Sequence, residues 1–222
     1  MKLSDYLEIQ PGLTAVIGGG GKTTLLYALA DELRKTGSVL LCTSTHIRIP
    51  PQYPLVTGDD AAVRDALRRN RVVCAGMPAD SGKLTAPAID FRTLTHLADY
   101  VLVEADGSRG LPLKAHASYE PVIPSPANNV VLVVGADGFG KTVSSVCHRP
   151  SLWAQLAGVD LQGIAAPAGE ARVIRAEGYG SRVFINKAES DASREAALDL
   201  ALHLELPVAA GSLQRGEYRC LR

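Results

Sequence analysis

Short apolar runs alternate along this chain with segments whose apolar positions recur every three or four residues. Residues 13–17 read as a first strand. Over residues 23–35, Leu25, Leu26, Leu29 and Leu33 fall at helical spacing, and Gly37 ends the pattern. A second strand is expected at 39–42, and a helix carrying Val63 and Leu67 at 59–69. Further strands are expected at 71–75, 100–104, 130–134, 183–185 and 208–210, with helices at 91–98 and 192–204. Several of these strands are apolar throughout rather than alternating, as strands buried on both faces are. Strands that alternate with helices imply right-handed crossovers and a parallel sheet. The expected architecture is therefore a three-layer α/β domain, a mostly parallel sheet flanked by helices, built as one domain over residues 1–222. Two long stretches rich in proline and polar residues, 43–58 and 105–129, interrupt it and read as functional loops.

Composition narrows the class. The 222 residues are 46% apolar, enough for a sizeable core, and the formal net charge is zero. A neutral balance gives no general affinity for nucleic acid or anionic membrane, so neither is expected as a partner. No apolar run approaches a membrane span. The opening MKLSDYLEIQPG has no apolar core followed by a cleavage site, so a cytoplasmic location is expected. Cys42, Cys74, Cys147 and Cys220 are scattered without a C-x-x-C pair, and read as reduced, mostly buried thiols. Cys42 and His46 alone are half a metal site at most.

The junction of the first strand and helix carries the clearest chemistry. Val16-Ile-Gly-Gly-Gly-Gly-Lys22-Thr-Thr places four glycines before a lysine and two threonines. Glycines allow successive backbone N–H groups to converge on phosphate oxygens, and the following helix adds its positive end. On this reading Gly18, Gly19, Gly20 and Gly21 cradle a nucleotide's phosphates. Lys22 bridges the outer phosphates, Thr23 places its hydroxyl on Mg²⁺, and Thr24 lies beside the inner phosphate. Val16 occupies the first-glycine position of G-x-x-x-x-G-K-[ST]. In lacking that glycine the loop is similar to the shortened loop of the Mur ligases. A second stretch, Gly135-Ala-Asp-Gly-Phe-Gly-Lys141-Thr142, matches the spacing formally. No convincing helix pattern follows it, so it is not expected to hold a nucleotide.

A phosphate loop needs a carboxylate at the end of a neighbouring strand. Glu104 and Asp106 follow the strand at 100–104, and alternation points them the same way. One is expected to hold Mg²⁺ and the other to orient water or substrate. On a later strand, Asn186-Lys187-Ala188-Glu189 resembles the guanine-reading N-K-x-D motif of GTPases, with Glu189 one methylene longer than the expected Asp. The nucleotide is thus GTP or ATP, with GTP preferred. The loop from Asp106 through Arg109, Lys114, His116, Tyr119 and Glu120 to Pro124 carries both charge signs, and Arg109 or Lys114 is a candidate partner for phosphate or an acidic substrate.

One order of motifs now stands out: GGGGKTT, Thr43-Ser-Thr45-His46, VEADGSRGLPLKAHASYEPVIP, Cys147-His148-Arg149-Pro150 and INKAE. Over nearly its whole length the chain resembles the YqeC family, selenium-dependent hydroxylase accessory proteins of selenium cofactor biosynthesis. The D-G-x-x-x-x-P-L-K followed by E-P-x-I-P is the most specific part. The resemblance implies a P-loop NTPase fold and an accessory role in maturing molybdenum hydroxylases that carry labile selenium. A molybdenum hydroxylase or its cofactor is then the implied partner. Residues 18–24, Asp106, Lys114, Glu120 and Arg149 are the positions that carry over. Ser44 in Thr-Ser-Thr and Glu189 depart from the pattern, the latter leaving the base open. The catalytic candidates are Lys22, Glu104, Asp106 and Lys114. The expected activity is NTP hydrolysis; a non-catalytic nucleotide-gated cofactor chaperone and a small-molecule kinase are the alternatives.

Overall fold

The computed structural model describes residues 1–222, the side chain of Ser81 apart. The chain falls into two compact units. The first comprises residues 1–16, 23–106 and 122–129; the second comprises 17–22, 107–121 and 130–222.

The first unit opens with a one-turn helix α1 (Leu3–Tyr6) and strand β1 (Gly12–Gly18), whose last two residues belong to the second unit. Then follow α2 (Lys22–Leu33), β2 (Val39–Thr43), β3 (Ile47–Arg48), β4 (Leu55–Val56), α3 (Asp60–Arg69), β5 (Val72–Ala75), β6 (Met77–Ala79), β7 (Lys83–Thr85), α4 (Phe91–Leu97) and β8 (Tyr100–Glu104). β1, β8, β2, β5 and β4 are all parallel neighbours in that order. Their residues are buried along the whole of β2 and β5, as the uninterrupted apolar runs require. Leu25, Leu26, Leu29, Ala30 and Leu33 on α2 are all buried, which is the stripe the sequence pattern marks. Asp59 and Asp90 cap α3 and α4 by accepting from the backbone N–H three residues on.

The second unit carries β9 (Leu113–Lys114), β10 (Ala127–Gly135), α5 (Val143–Val146), β11 (Cys147–His148), α6 (Pro150–Ala157), α7 (Pro167–Glu177), β12 (Arg182–Asn186), α8 (Asp191–Leu202), β13 (Val208–Ser212) and β14 (Glu217–Cys220). β10, β12 and β13 run parallel, and β14 closes the edge antiparallel to β13. The fold is the mostly parallel, helix-flanked α/β arrangement that the alternation predicts.

Several elements depart from the sequence pattern. Residues 43–58 are not wholly irregular: β4 lies at the sheet edge on β5, and β3 joins an antiparallel three-strand sheet with β7 and β6. Two- and three-residue strands are too short to show a period and form by pairing. β10 starts at Ala127, three residues inside the expected loop 105–129, and β9 lies within that loop. α6 and α7 were absent from the periodic reading. Both begin with proline at the first helical position and end at a left-handed glycine, Gly158 and Gly178.

α6 and α7 pack around a buried polar pair. Trp153 is fully buried, and its indole N–H donates to the carboxyl of Glu170, which is 3% exposed. Burial pushes the Glu170 carboxyl up to about 8, the Glu177 charge adding to it while the indole bond and His116 oppose it. The carboxyl binds its proton more tightly folded than unfolded. Its favourable contribution is therefore complete below its ordinary value of 4.5 and is lost as pH rises towards about 8. Glu170→Gln keeps an acceptor for Trp153 but cannot ionise. In urea unfolding the variant should match the parent near pH 5 and exceed it increasingly up to pH 9. Parallel pH profiles for the two proteins would refute the assignment.

Candidate functional site

The residues after β1 form a loop whose backbone is open only to glycine. Gly18, Gly20 and Gly21 have φ of 94°, 75° and 126°. A Cβ on Gly20 would lie 2.4 Å from the backbone N of Gly135, and one on Gly19 would lie 2.6 Å from the carbonyl of Pro112. The loop is thus pressed against two other backbone segments. Gly19 N donates to Val133 O, and Gly20 N to Leu111 O. Lys22 is 4% exposed; its ammonium donates to Gly18 O at 2.7 Å and lies 3.3 Å from Ser108 Oγ. A lysine held across its own glycine loop is pre-placed for an anion there.

The second glycine-rich stretch has a different use. Its Gly135 is the residue that backs onto Gly20, which accounts for the glycine without invoking a ligand. A 3₁₀ turn, Ala136–Gly138, and the four-residue α5 follow it. A helix that short supplies little dipole.

Asn186, the first residue of the N-K-x-D-like motif, is 5% exposed and braces the same loop. Its Nδ2 donates to Gly20 O at 2.8 Å, and its Oδ1 accepts from Leu213 N at 3.1 Å. Glu189 accepts from Ser212 Oγ at 2.6 Å and faces Arg215 at 3.8 Å. Lys187 has a left-handed φ of 62° and pairs with Asp137 at 2.8 Å. The motif at the end of β12 therefore reaches both the phosphate loop and the turn after β13. Ser212 and Leu213 were not visible as site residues in the sequence, because nothing in Gly-Ser-Leu-Gln marks them until the two strand ends are adjacent.

In the first unit, Thr23 and Glu104 meet directly: Thr23 Oγ1 donates to Glu104 Oε2 at 2.7 Å. Thr24 is exposed on the next position of α2. Asp106 is fully buried and Glu104 is 7% exposed. Thr43 Oγ1 donates to the Glu104 carbonyl at 2.8 Å, which ties the start of the 43–58 stretch to the end of β8. The hydroxyl–carboxylate pair is a donor set suited to a hard cation such as Mg²⁺, with oxygen atoms alone.

The most specific sequence motif resolves into a charge network in the second unit. β9 pairs with β11, setting Leu113 opposite Cys147 and Lys114 opposite His148. Lys114, 3% exposed, donates to Gly107 O at 2.6 Å and to Glu120 at 3.0 Å. The other Glu120 oxygen accepts from Arg149 Nε at 2.6 Å. Arg149 itself is left-handed, φ 63°, and lies over the Tyr119 ring at 5.1 Å. Burial alone would raise the Glu120 carboxyl, but its bonds to Arg149 and Lys114 hold it below the usual range. His116 is likewise held: its backbone N–H and Nδ1 both meet the Glu177 carboxylate, at 2.6 and 2.7 Å. PLKAH, EP and CHRP are thus joined in space as the sequence could not show.

The three buried thiols are not activated. Desolvation raises Cys42, and lifts Cys74 and Cys147 to about 12. Among the described residues no group of three or more His, Cys, Asp or Glu side chains converges on a possible metal position, so Cys42 and His46 gain no third ligand. Nor is any helix among them long and apolar enough to cross a membrane.

A strand, a glycine loop with a buried lysine and a helix at the first βα junction of a mostly parallel sheet define a P-loop-type α/β protein. A family model described as YqeC protein matches residues 14–151, and the chain belongs to that family. The match is narrower than the near-complete resemblance expected, and it leaves the 186–189 motif outside. The chain is 38% identical over 159 residues to "Uncharacterized protein YqeC" of Escherichia coli (strain K12), covering 68% of this chain and 62% of that protein. It therefore spans less than two thirds of that relative's length. It is also similar to a crystal structure of the signal recognition particle 54 kDa protein from Aeropyrum pernix K1 in complex with GDP. That likeness has a TM-score of 0.44 and 16% identity, and covers 96% of this chain and 44% of the other.

Removing Glu120 takes away the carboxylate that Lys114 and Arg149 share. Glu120→Ala should cost about 3–5 kcal/mol in denaturant unfolding. A loss under about 1 kcal/mol, the ordinary value of an exposed pair, would show that the network is solvated.

Proposed function

We propose that this protein binds a purine nucleoside triphosphate with Mg²⁺ on residues 18–24, and hydrolyses it to diphosphate and phosphate. The observation that carries the reading is the Lys22 ammonium, buried and bonded across the glycine loop to Gly18 O. Gly18, Gly19 and Gly20 would shape the loop, the Gly19 and Gly20 N–H groups being bonded to Val133 and Leu111, while Gly21 and the first turn of α2 would present N–H groups to the phosphates, with Lys22 on the outer ones. Thr23 and Glu104 would hold Mg²⁺, which supplies charge neutralisation at the phosphates when bound. Thr24 would stand beside the inner phosphate. Asp106, fully buried, would act by orienting the groups around it rather than as a base on a solvent-borne acceptor, which weighs against the kinase reading. Lys114 would act as a positioning residue, through Gly107 and Glu120.

The preference for GTP over ATP is also ours. Asn186 spans the phosphate loop and the turn after β13, and Glu189 offers a carboxylate to a guanine ring N–H and amino group. Lys187 would lie along the base. Adenine has no donor pair at that edge, so the carboxylate would gain nothing from it.

The family resemblance supports a further proposal, that nucleotide turnover serves maturation of selenium-dependent molybdenum hydroxylases in the cytoplasm. Whether the output is hydrolysis-driven or a slow nucleotide-gated delivery of cofactor is separated by the hydrolysis rate with and without the partner enzyme.

Calorimetric titration with Mg·GTP and Mg·ATP should show binding of both, GTP the tighter, and Lys22→Ala should abolish it. Glu189→Ala should bring the two affinities within about twofold, losing a charge-assisted contact of roughly 1.5–3 kcal/mol. No binding of either nucleotide by the parent would overturn the reading. Hydrogen exchange over residues 43–50 and 105–124 should slow with a triphosphate analogue relative to diphosphate. Identical protection in the two states would rule out a switch in those loops.

A further inference from the structure

The turn at residues 108–111 is built in an unfavourable way. Leu111 N donates to Ser108 O at 3.0 Å, with Arg109 and Gly110 between them at φ 53° and 77°. Two left-handed central residues are the geometry of a type I′ turn, where Asn, Asp or Gly is usual and Arg is strained. Strain at one residue persists where its surroundings impose it, and it clusters at ligand clamps. Here the surroundings are the phosphate loop itself. Ser108 Oγ lies 3.3 Å from the Lys22 ammonium, and Leu111 O accepts from Gly20 N at 3.0 Å. Both ends of the turn are thus fastened to loop atoms, and Arg109 stands at its tip.

Arg109 is exposed, and among the described residues it makes no hydrogen bond or ion pair. It acts on His148 together with Lys114, Arg149 and Glu120. Glu120 is the carboxylate of this cluster, and its two oxygens are already taken by Lys114 and Arg149. His148, paired across from Lys114, is held below its ordinary value by burial and then by Lys114, Arg149 and Arg109, with Glu120 opposing.

We propose that Arg109 binds a tetrahedral oxyanion beside the phosphate loop, its guanidinium fork engaging two oxygens at once. The oxyanion is either the terminal phosphoryl group of the bound nucleotide or a separate phosphate-like second substrate; the chemistry recognised is the same. The location rests on the nucleotide reading of residues 18–24. In the bland alternative Arg109 is a solvated surface residue that tolerates its strain for no purpose. The two differ in what Arg109→Gly does, since glycine fits the turn without strain and the variant should fold at least as well as the parent.

The test uses the full chain, as the parent and as Arg109→Gly and Arg109→Lys, titrated with Mg·GDP, with a non-hydrolysable Mg·GTP analogue, and with inorganic phosphate in saturating Mg·GDP. Arg109→Gly should keep its melting temperature and bind Mg·GDP within about twofold of the parent. It should weaken one of the other two ligands by about 10- to 100-fold, the range of a charge-assisted hydrogen bond. Loss confined to the triphosphate analogue assigns the terminal phosphoryl group; loss of inorganic phosphate assigns a second oxyanion substrate. Arg109→Lys should recover only part, because it replaces a fork with a point charge. Unchanged affinities in both arms overturn the proposal while leaving the nucleotide reading intact. If the parent binds no nucleotide, that reading falls instead, and phosphate titrated alone decides the role of Arg109 by the same comparison.

Discussion

Everything in the second unit's chemistry depends on how closely backbone packs on backbone behind the phosphate loop. Gly19 sits against the carbonyls of Leu111 and Pro112, and Gly20 against Gly135. At these separations no Cβ can be inserted, so the glycines are demanded from two sides, by their own dihedral angles and by their neighbours. The result is a cradle that exists before any ligand arrives. Its N–H and C=O groups are partly satisfied by β10, by the 111–112 segment and by Asn186, and its lysine is already folded over it. Pre-organisation of this kind lowers the ordering cost of binding an anion.

That packing also explains why motifs far apart in the chain belong together. Gly135 opens a stretch that imitates a phosphate loop by spacing alone, yet its glycine serves the first loop from behind. Pro112 belongs to the PLK motif, and its carbonyl receives Gly135 N while touching Gly19. Lys114, two residues on, is locked to Glu120, and Glu120 to Arg149. A single run of contacts therefore connects the glycine loop to PLKAH, EP and CHRP. Each motif looks like a separate functional signal in sequence; in space they buttress one structure.

The sequence made legible what local chemistry determines. The strands of the parallel sheet are continuous apolar runs, and α2 carries its stripe of leucines, so the fold could be read without three-dimensional information. The positions of residues 18–24 and of the carboxylates at the end of β8 were readable because they stand at strand ends that the apolar runs mark. Pairing partners separated by tens or hundreds of residues were not. Ser108 beside Lys22, Ser212 beside Glu189 and His148 opposite Lys114 are set by topology, and no spacing rule reaches them. α6 and α7 were missed for another reason. Their apolar faces are interrupted by Glu170 and Trp153, a buried polar pair that blurs the period. The proline and glycine that bound each helix were the better signal.

The charge network invites a division of labour among cations that look alike in sequence. Lys114 and Arg149 share one carboxylate, and both are at least partly withdrawn from water. Their electrostatics are spent holding residues 107–121 and the CHRP segment in register. A buried pair of this sort adds little net stability over an apolar substitute, but it is strongly destabilised if broken, which suits a scaffold whose geometry matters more than its strength. Arg109 has no such partner and occupies a strained turn fixed at both ends to the loop. Lys22 is buried as well, and its ammonium donates to Gly18 O and lies beside Ser108 Oγ. A structural cation in this protein is one held by a shared carboxylate, as Lys114 and Arg149 are by Glu120.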